Sequence, residues 1–334
     1  MTRRDPPTSL ERRIREAEDA VFAAVGAEAE QVFLDLRQTG LRVRVLAHGS
    51  GPPLLLLHGV SLSAAAWAPL FAYLPGFRLL AVDLPGHGLS DPVRYQRGRV
   101  RAHAHRLVDD ILDALGLDCV PVIGHSLGGM FALWHAAAGS RRISQVTAVG
   151  VPAVALAGVR VRMPLSVLTV RGLGVAVPRA PSPRLVYRRL IAQGLGSAEV
   201  KMAPEPLIEA LRLSARRPQN ARTVASLMHA IDRFRRPRAE SILSDAELAA
   251  IRVPTCFILG TDDPYLSPHD ARRSIGRIPI ATVHEMPAGH GPWLADPSRV
   301  AGLIAAHVRT GVSGTDPHAA HENWDLDMAA TPSK

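Results

Sequence analysis

The chain has 334 residues, 47% of them hydrophobic, and a formal net charge of +9. That is enough apolar material for one large domain, or one domain carrying an insertion, and too much for a disordered chain. Two cysteines exclude a disulfide framework, no His or Cys spacing matches a metal site, and no segment reads as a membrane span.

Residues 1–30 read as a helical extension. Leu10, Ile14, Ala17, Val21 and Val25 recur at the three- and four-residue spacing of an amphipathic helix. The first residues include arginines but no apolar signal core, so a cytoplasmic location is expected, with Cys119 and Cys256 as small reduced core residues. "QVFLDLRQTGLRVRVLAHGSG" (31–51) predicts a hairpin around Gly40, and "PPLLLLHG" (52–59) a strand buried on both faces. Residues 63–74 read as helix, and "FRLLAVDLPGHG" as strand then turn. Residues 100–116 form an amphipathic helix ended by Gly116. "CVPVIGHS", 127–139 and "ISQVTAVGV" then read as strand, helix and strand.

This alternation predicts a mostly parallel sheet flanked by helices, an α/β fold. It stops between residues 152 and 245, a segment rich in proline and arginine with helix candidates and no clear strand. That segment has 16 basic and 6 acidic residues, a net +10, while the rest of the chain has a net −1. The preference for arginine, 37 against 2 lysines, is chain-wide, but the localisation is not. Strands return at 255–263 and 281–290, and 298–308 is a last helix. The expected organisation is a core of 31–151 and 246–309, a helical insertion at 152–245, and a disordered tail at 310–334.

"VIGHSLGGM" (122–130) crowds three glycines around Ser126 between a strand and a helix. The pattern G-x-S-x-G in that setting is a nucleophile elbow: a sharp turn that lifts the serine hydroxyl above the sheet. Gly124 and Gly128 are expected where the turn leaves no room for a Cβ. The helix start then points free N–H groups at the serine.

A serine nucleophile needs a base, and the chain has 14 histidines. His290, in "PAGHGPW" between a strand and the final helix, has the most suitable setting. His103 and His105 fall on a polar helix face and are expected to be solvated, His135 is expected to pack, and His87 belongs to a structural turn. "GTDDPY" puts two carboxylates at a strand end; Asp263 is preferred as the acid, with Asp262 its close competitor. The order Ser, Asp, His differs from those of chymotrypsin and subtilisin. The oxyanion hole is expected from the backbone N–H groups of Leu127 and Val60.

With "HGV" (58–60), "DLPGHGLSD" (83–91), "GHSLGG" (124–129), "GTDD" and "AGHGPW" in this order, the chain resembles the α/β-hydrolase superfamily over residues 31–309, apart from 152–245. The resemblance implies an eight-stranded sheet, a Ser126–Asp263–His290 catalytic triad and a cap, or lid, domain at 152–245. Relatives with an aspartate nucleophile include haloalkane dehalogenases and epoxide hydrolases, and Ser126 argues against both. The expected activity is a serine esterase working through an acyl-enzyme, with no cofactor and no metal, on a small-molecule ester or acyl substrate. The alternatives are C–C bond hydrolysis, perhydrolase or haloperoxidase-like chemistry on the same triad, and a regulatory member that only binds a ligand. Nucleic acid is not an expected partner, because positive charge comes without a recognition motif. The basic insertion suggests contact with anionic lipid or an acidic substrate, against the plainer reading of a solvated arginine-rich face.

Overall fold

Helix α1 (Ser9–Val25) opens the chain in a computed structural model that describes residues 8–312. Thr8 caps it reciprocally: its hydroxyl accepts from the Glu11 N–H at 3.2 Å, and its own N–H donates to the Glu11 carboxylate at 3.1 Å. Gly26, at φ 64°, ends it in a left-handed turn. The face turned inward carries Ile14, Glu18, Val21 and Phe22, the spacing of one helix side.

The hairpin strands β1 (Glu30–Asp35) and β2 (Arg42–His48) follow as expected. The chain continues through β3 (Pro53–Leu57), α2 (Ala68–Phe71), β4 (Arg78–Val82), α3 (Val100–Ala114), β5 (Val120–His125), α4 (Leu127–Ala137) and β6 (Ile143–Val149). Between β6 and the next strand lie α5 (Leu173–Arg179), α6 (Arg184–Leu195), α7 (Ser197–Met202), α8 (Glu205–Ala215), α9 (Pro218–Ile231) and α10 (Asp245–Ala250). The last elements are β7 (Thr255–Gly260), α11 (Pro268–Ile275), β8 (Ala281–Met286), α12 (Pro292–Ala295) and α13 (Pro297–Val312).

The eight strands form one sheet in the order β1-β2-β4-β3-β5-β6-β7-β8. β2 pairs antiparallel with β1 and β4, and all other pairings are parallel. β3 is buried at all five positions because apolar layers cover both faces of the sheet. Leu55 and Leu57 join the layer of α3 and α4, while Leu54 and Leu56 join that of α2 and α13. The alternation of a strand thus splits one run of leucines between two cores. Among the described residues no helix is long and apolar enough to cross a membrane.

Two expectations change. Cys256 is buried in β7, but Cys119 is exposed, because it lies in the bend one residue before β5 rather than within the strand. Residues 310–312, placed in the expected tail, close α13; the remainder of that tail lies outside the described residues.

The extension is bound to the sheet by buried charge. Arg44 of β2 makes a bidentate pair with Glu18 of α1 at 2.6 and 2.7 Å. Its Nε donates to Asp83, just after β4, at 2.7 Å. Asp83 also accepts from the Ala64 and Leu89 N–H groups at 2.7 and 2.9 Å. Arg44, Glu18 and Asp83 are each at most 3% exposed. Removing the cation strands two buried carboxylates. Arg44→Ala is therefore expected to lower the unfolding free energy by about 3–5 kcal/mol, read by urea denaturation; a loss within error of a surface substitution would contradict the burial.

Candidate active site

The ends of four parallel strands converge on one spot. After β5 the backbone reverses at Ser126, which sits at φ 49° and ψ −105°, outside the regions that L-residues favour. The turn is stitched to the end of β3 by a hydrogen bond from the Gly128 N–H to the His58 carbonyl at 3.1 Å. A Cβ at Gly128 would stand 2.0 Å from the Leu57 carbonyl oxygen, and one at Gly124 would stand 2.4 Å from the Gly129 nitrogen. Leu127 is the first residue of α4, so its N–H has no helical acceptor behind it. Gly59 passes beside the serine: a Cβ there would lie 3.2 Å from Ser126 Cβ. That brings Val60, the next residue, to the wall of the same cavity as Ser126 and Leu127.

His290 lies in the loop after β8 and is 4% exposed. Its Nδ1 is 2.6 Å from Asp263 Oδ2. The Asp263 carboxylate, in the loop after β7, also accepts from the Val151 N–H at 3.2 Å and the Tyr265 N–H at 3.0 Å. Asp262 is exposed, and its N–H donates to the Ala288 carbonyl at 2.9 Å. Of the two carboxylates, the structure brings Asp263 to the histidine. An acceptor at Nδ1 makes that nitrogen the donor and leaves the Nε2 lone pair free. His290 and Ser126 line the same cavity.

A family model described as the alpha/beta hydrolase fold matches residues 52–297. The chain belongs to that family. An uncharacterised protein of Mycobacterium tuberculosis is 27% identical to this hydrolase over 270 residues, which span 78% of this chain and 76% of that one. A 2-hydroxy-6-oxononadienedioate/2-hydroxy-6-oxononatrienedioate hydrolase of Cupriavidus pinatubonensis is 28% identical over 256 residues, 73% of this chain and 78% of that one. Among solved structures, the naproxen esterase of Bacillus subtilis superposes with a TM-score of 0.69 at 18% identity, covering 91% of this chain and all of that one, a likeness of fold.

Two cavities meet at Ser126 and His290. The larger, about 210 Å³, runs under α5 and α6 and is walled by side chains such as Leu62, Leu165, Tyr187, Leu190 and Ile191. The smaller, about 30 Å³, is walled by Val154, Val159, Val161, Met228 and Ile231. Among the described residues, no Asp, Glu, Lys or Arg lines either one.

Side chains not expected from the sequence brace this spot. His58 accepts from the Leu84 N–H at Nε2 (3.0 Å), so its Nδ1–H donates to the Gly59 carbonyl at 2.7 Å. His125 Nε2 donates to the His290 carbonyl at 3.0 Å, and its ring lies 4.7 Å from that of His290. Burial lowers the pKa of both His58 and His125, so both are neutral braces. The insertion holds the histidine loop as well. The Leu195 carbonyl accepts from the His290 and Gly291 N–H groups at 2.7 and 3.1 Å, and the buried Glu199 carboxylate accepts from the Gly289 N–H. His58 and His125 were visible beside "GV" and Ser126, whereas nothing in the sequence marks Glu199.

Other histidines sort themselves by surroundings. His135 packs, as expected, with Asp109 2.9 Å away. His103, expected in solvent, instead meets the Tyr95 ring edge-on at 5.0 Å, and burial lowers its pKa to about 4. His87 is buried in its turn, and desolvation lowers its pKa to about 3. The unfolded chain takes up this proton near pH 6.5 and the folded one only near pH 3. Stability is therefore full above about pH 6.5 and falls on acidification, with His87 contributing up to about 1.4 kcal/mol per pH unit. Urea unfolding at pH 7 and pH 5 is expected to show this loss, and His87→Gln to show a smaller one; equal losses in both proteins would remove His87 from the account.

Proposed function

We propose that this hydrolase cleaves carboxylic esters with uncharged, apolar substituents through a Ser126–His290–Asp263 triad, with α5–α9 as the cap over the site. The observation that carries the reading is an apolar, charge-free cavity meeting a serine on a strained turn beside an aspartate-bound histidine.

In this reading His290 Nε2 takes the Ser126 hydroxyl proton as Oγ bonds to the acyl carbon. The carbonyl oxygen becomes an oxyanion, received by the Leu127 and Val60 N–H groups. Asp263 stabilises the imidazolium and keeps its Nδ1–H pointed away from the serine. The tetrahedral centre collapses, the C–O bond to the alcohol breaks, and His290 returns its proton to the leaving oxygen. Water then enters, gives its proton to His290 and attacks the acyl-enzyme, releasing the acid and restoring Ser126. The scheme calls on no cofactor or metal. The larger cavity meeting Ser126 gives room for one apolar part of the ester, and the smaller, about 30 Å³, for no more than a small group on the other side.

C–C bond hydrolysis on the same triad is the rival, since a relative is named for a dioate substrate. Such a substrate would bring carboxylates into a cavity without a cation, and an unpaired buried charge is costly. That favours the neutral ester. The same geometry favours chemistry over a ligand-binding role, because a strained turn and an oriented histidine are not needed merely to bind.

Ser126→Ala is expected to lower kcat on a p-nitrophenyl ester by at least about 10³-fold and to abolish labelling by a fluorophosphonate probe. Asp263→Asn should lose at least about 10²-fold while Asp262→Asn stays close to the parent; the reverse ranking would exchange their roles. In a substrate panel, neutral apolar esters should exceed both ω-carboxylated esters and vinylogous diketone acids in kcat/KM by about tenfold or more. A preference for either acid would replace the ester reading.

A further inference from the structure

We propose that the outer face of α5 and α6 docks on an anionic lipid surface. Residues 157–195 contain seven arginines and no Asp or Glu. Of the nine exposed large hydrophobic residues among the described residues, five are Met163, Leu173, Val177, Leu185 and Val186. Met163 and Val177, 53% and 46% exposed, also line the larger cavity, so this surface is its rim. Arg184 and Arg188 pair with Glu209 and Glu205 of α8, whereas Arg171, Arg179 and Arg189 extend from exposed positions. With the chain outside 152–245 at net −1, the positive potential has a direction. Arginines interspersed with exposed aliphatic side chains match a lipid interface, where charge meets headgroups and apolar groups enter the acyl boundary. An acidic protein would satisfy the arginines but leaves the aliphatic rim unexplained. A lipid chain entering at Met163 and Val177 would reach the cavity without crossing water.

Co-sedimentation tests this with phosphatidylcholine vesicles, pure or about one-third phosphatidylglycerol, in about 0.1 M salt. Both the parent protein and Ser126→Ala should partition about tenfold or more in favour of the anionic vesicles, since docking does not require turnover. Combined Arg171→Gln, Arg179→Gln and Arg189→Gln should remove that preference, and Leu173→Ser with Leu185→Ser should weaken binding to the same vesicles. Both variants should keep the parent's turnover of a soluble short-chain ester. Equal partition between vesicle types, or unaltered binding by the arginine variant, overturns the proposal. Binding insensitive to the leucine changes and displaced by polyglutamate points to an acidic macromolecule and overturns it too.

A separate observation, the attachment of the histidine loop to the insertion, points to Glu199 as a positioning residue for His290; this rests on the proposed triad. Glu199 is 1% exposed, packs on Gly196 and accepts from the Gly289 N–H next to His290. Glu199→Leu strands that buried donor, whereas Glu199→Gln keeps an acceptor in place. With active sites counted by fluorophosphonate titration, which fails outright if Ser126 is not the nucleophile, Glu199→Leu should lower kcat about tenfold or more at nearly constant KM. Glu199→Gln should recover most of the loss. Equal kcat for parent and Glu199→Leu, or no recovery with Gln, overturns the role.

Discussion

The most demanding feature of the molecule is the absence of space behind Ser126. The turn at φ 49° persists only because α4 lies so close to β3 that a Cβ at Gly128 would sit 2.0 Å from the Leu57 carbonyl oxygen. Strain of this kind costs on the order of 1–3 kcal/mol and survives where surrounding structure over-determines it. Here the surroundings are β3, buried at every position between two leucine layers, and the Gly128–His58 hydrogen bond. The central strand therefore serves two ends: it fills both cores, and its last residues fix the serine turn.

Around that turn, backbone carbonyls are held by neutral imidazoles. His58 fixes the Gly59 carbonyl, and His125 fixes that of His290. Neutrality matters, because a charged ring here would be poorly solvated and would repel the imidazolium that the proposed reaction forms at His290. Burial supplies the neutrality. The insertion supplies the remaining support, since Leu195 and Glu199 grip residues 289–291. The helices that roof the cavity thus also anchor the loop of the proposed base, which makes roof and base one mechanical unit.

The sheet and most of its helices were legible because their periodicities are strong. The run of leucines in β3, the three- and four-residue apolar spacing of α1, and the elbow glycines each carry a local physical signature. Ser126 and His290 were legible from the turns around them, and the preference for Asp263 over Asp262 rested on position alone. What separates the two is tertiary: the N–H groups of Val151 and Tyr265 converge on the Asp263 carboxylate. Long-range partnerships were invisible for the same reason. Glu18, Arg44 and Asp83 are unremarkable charges in the sequence, and only folding brings them within 2.6–2.7 Å in a dry interior. Cys119 misled because an apolar run does not reveal which of its residues begins the strand.

The division of charge within the insertion carries the functional argument furthest. Of the arginines in α5 and α6, Arg184 and Arg188 pair with Glu209 and Glu205 and Arg179 and Arg189 are exposed, while the insertion turns Leu165, Leu190 and Ile191 to the cavity above Ser126. A pocket selecting an acidic substrate would need at least one of those guanidiniums inside, because Coulomb attraction through water from an exposed arginine is weak and screened within about 10 Å. On the proposed ester reading, the positive charge of the insertion therefore lies outside the pocket that receives the reacting group. In the proposed function the charge faces what lies outside the rim, and the cavity selects by shape and by its largely apolar wall. Two different chemistries on two sides of the same helices account for a strongly basic segment covering a pocket with no charge.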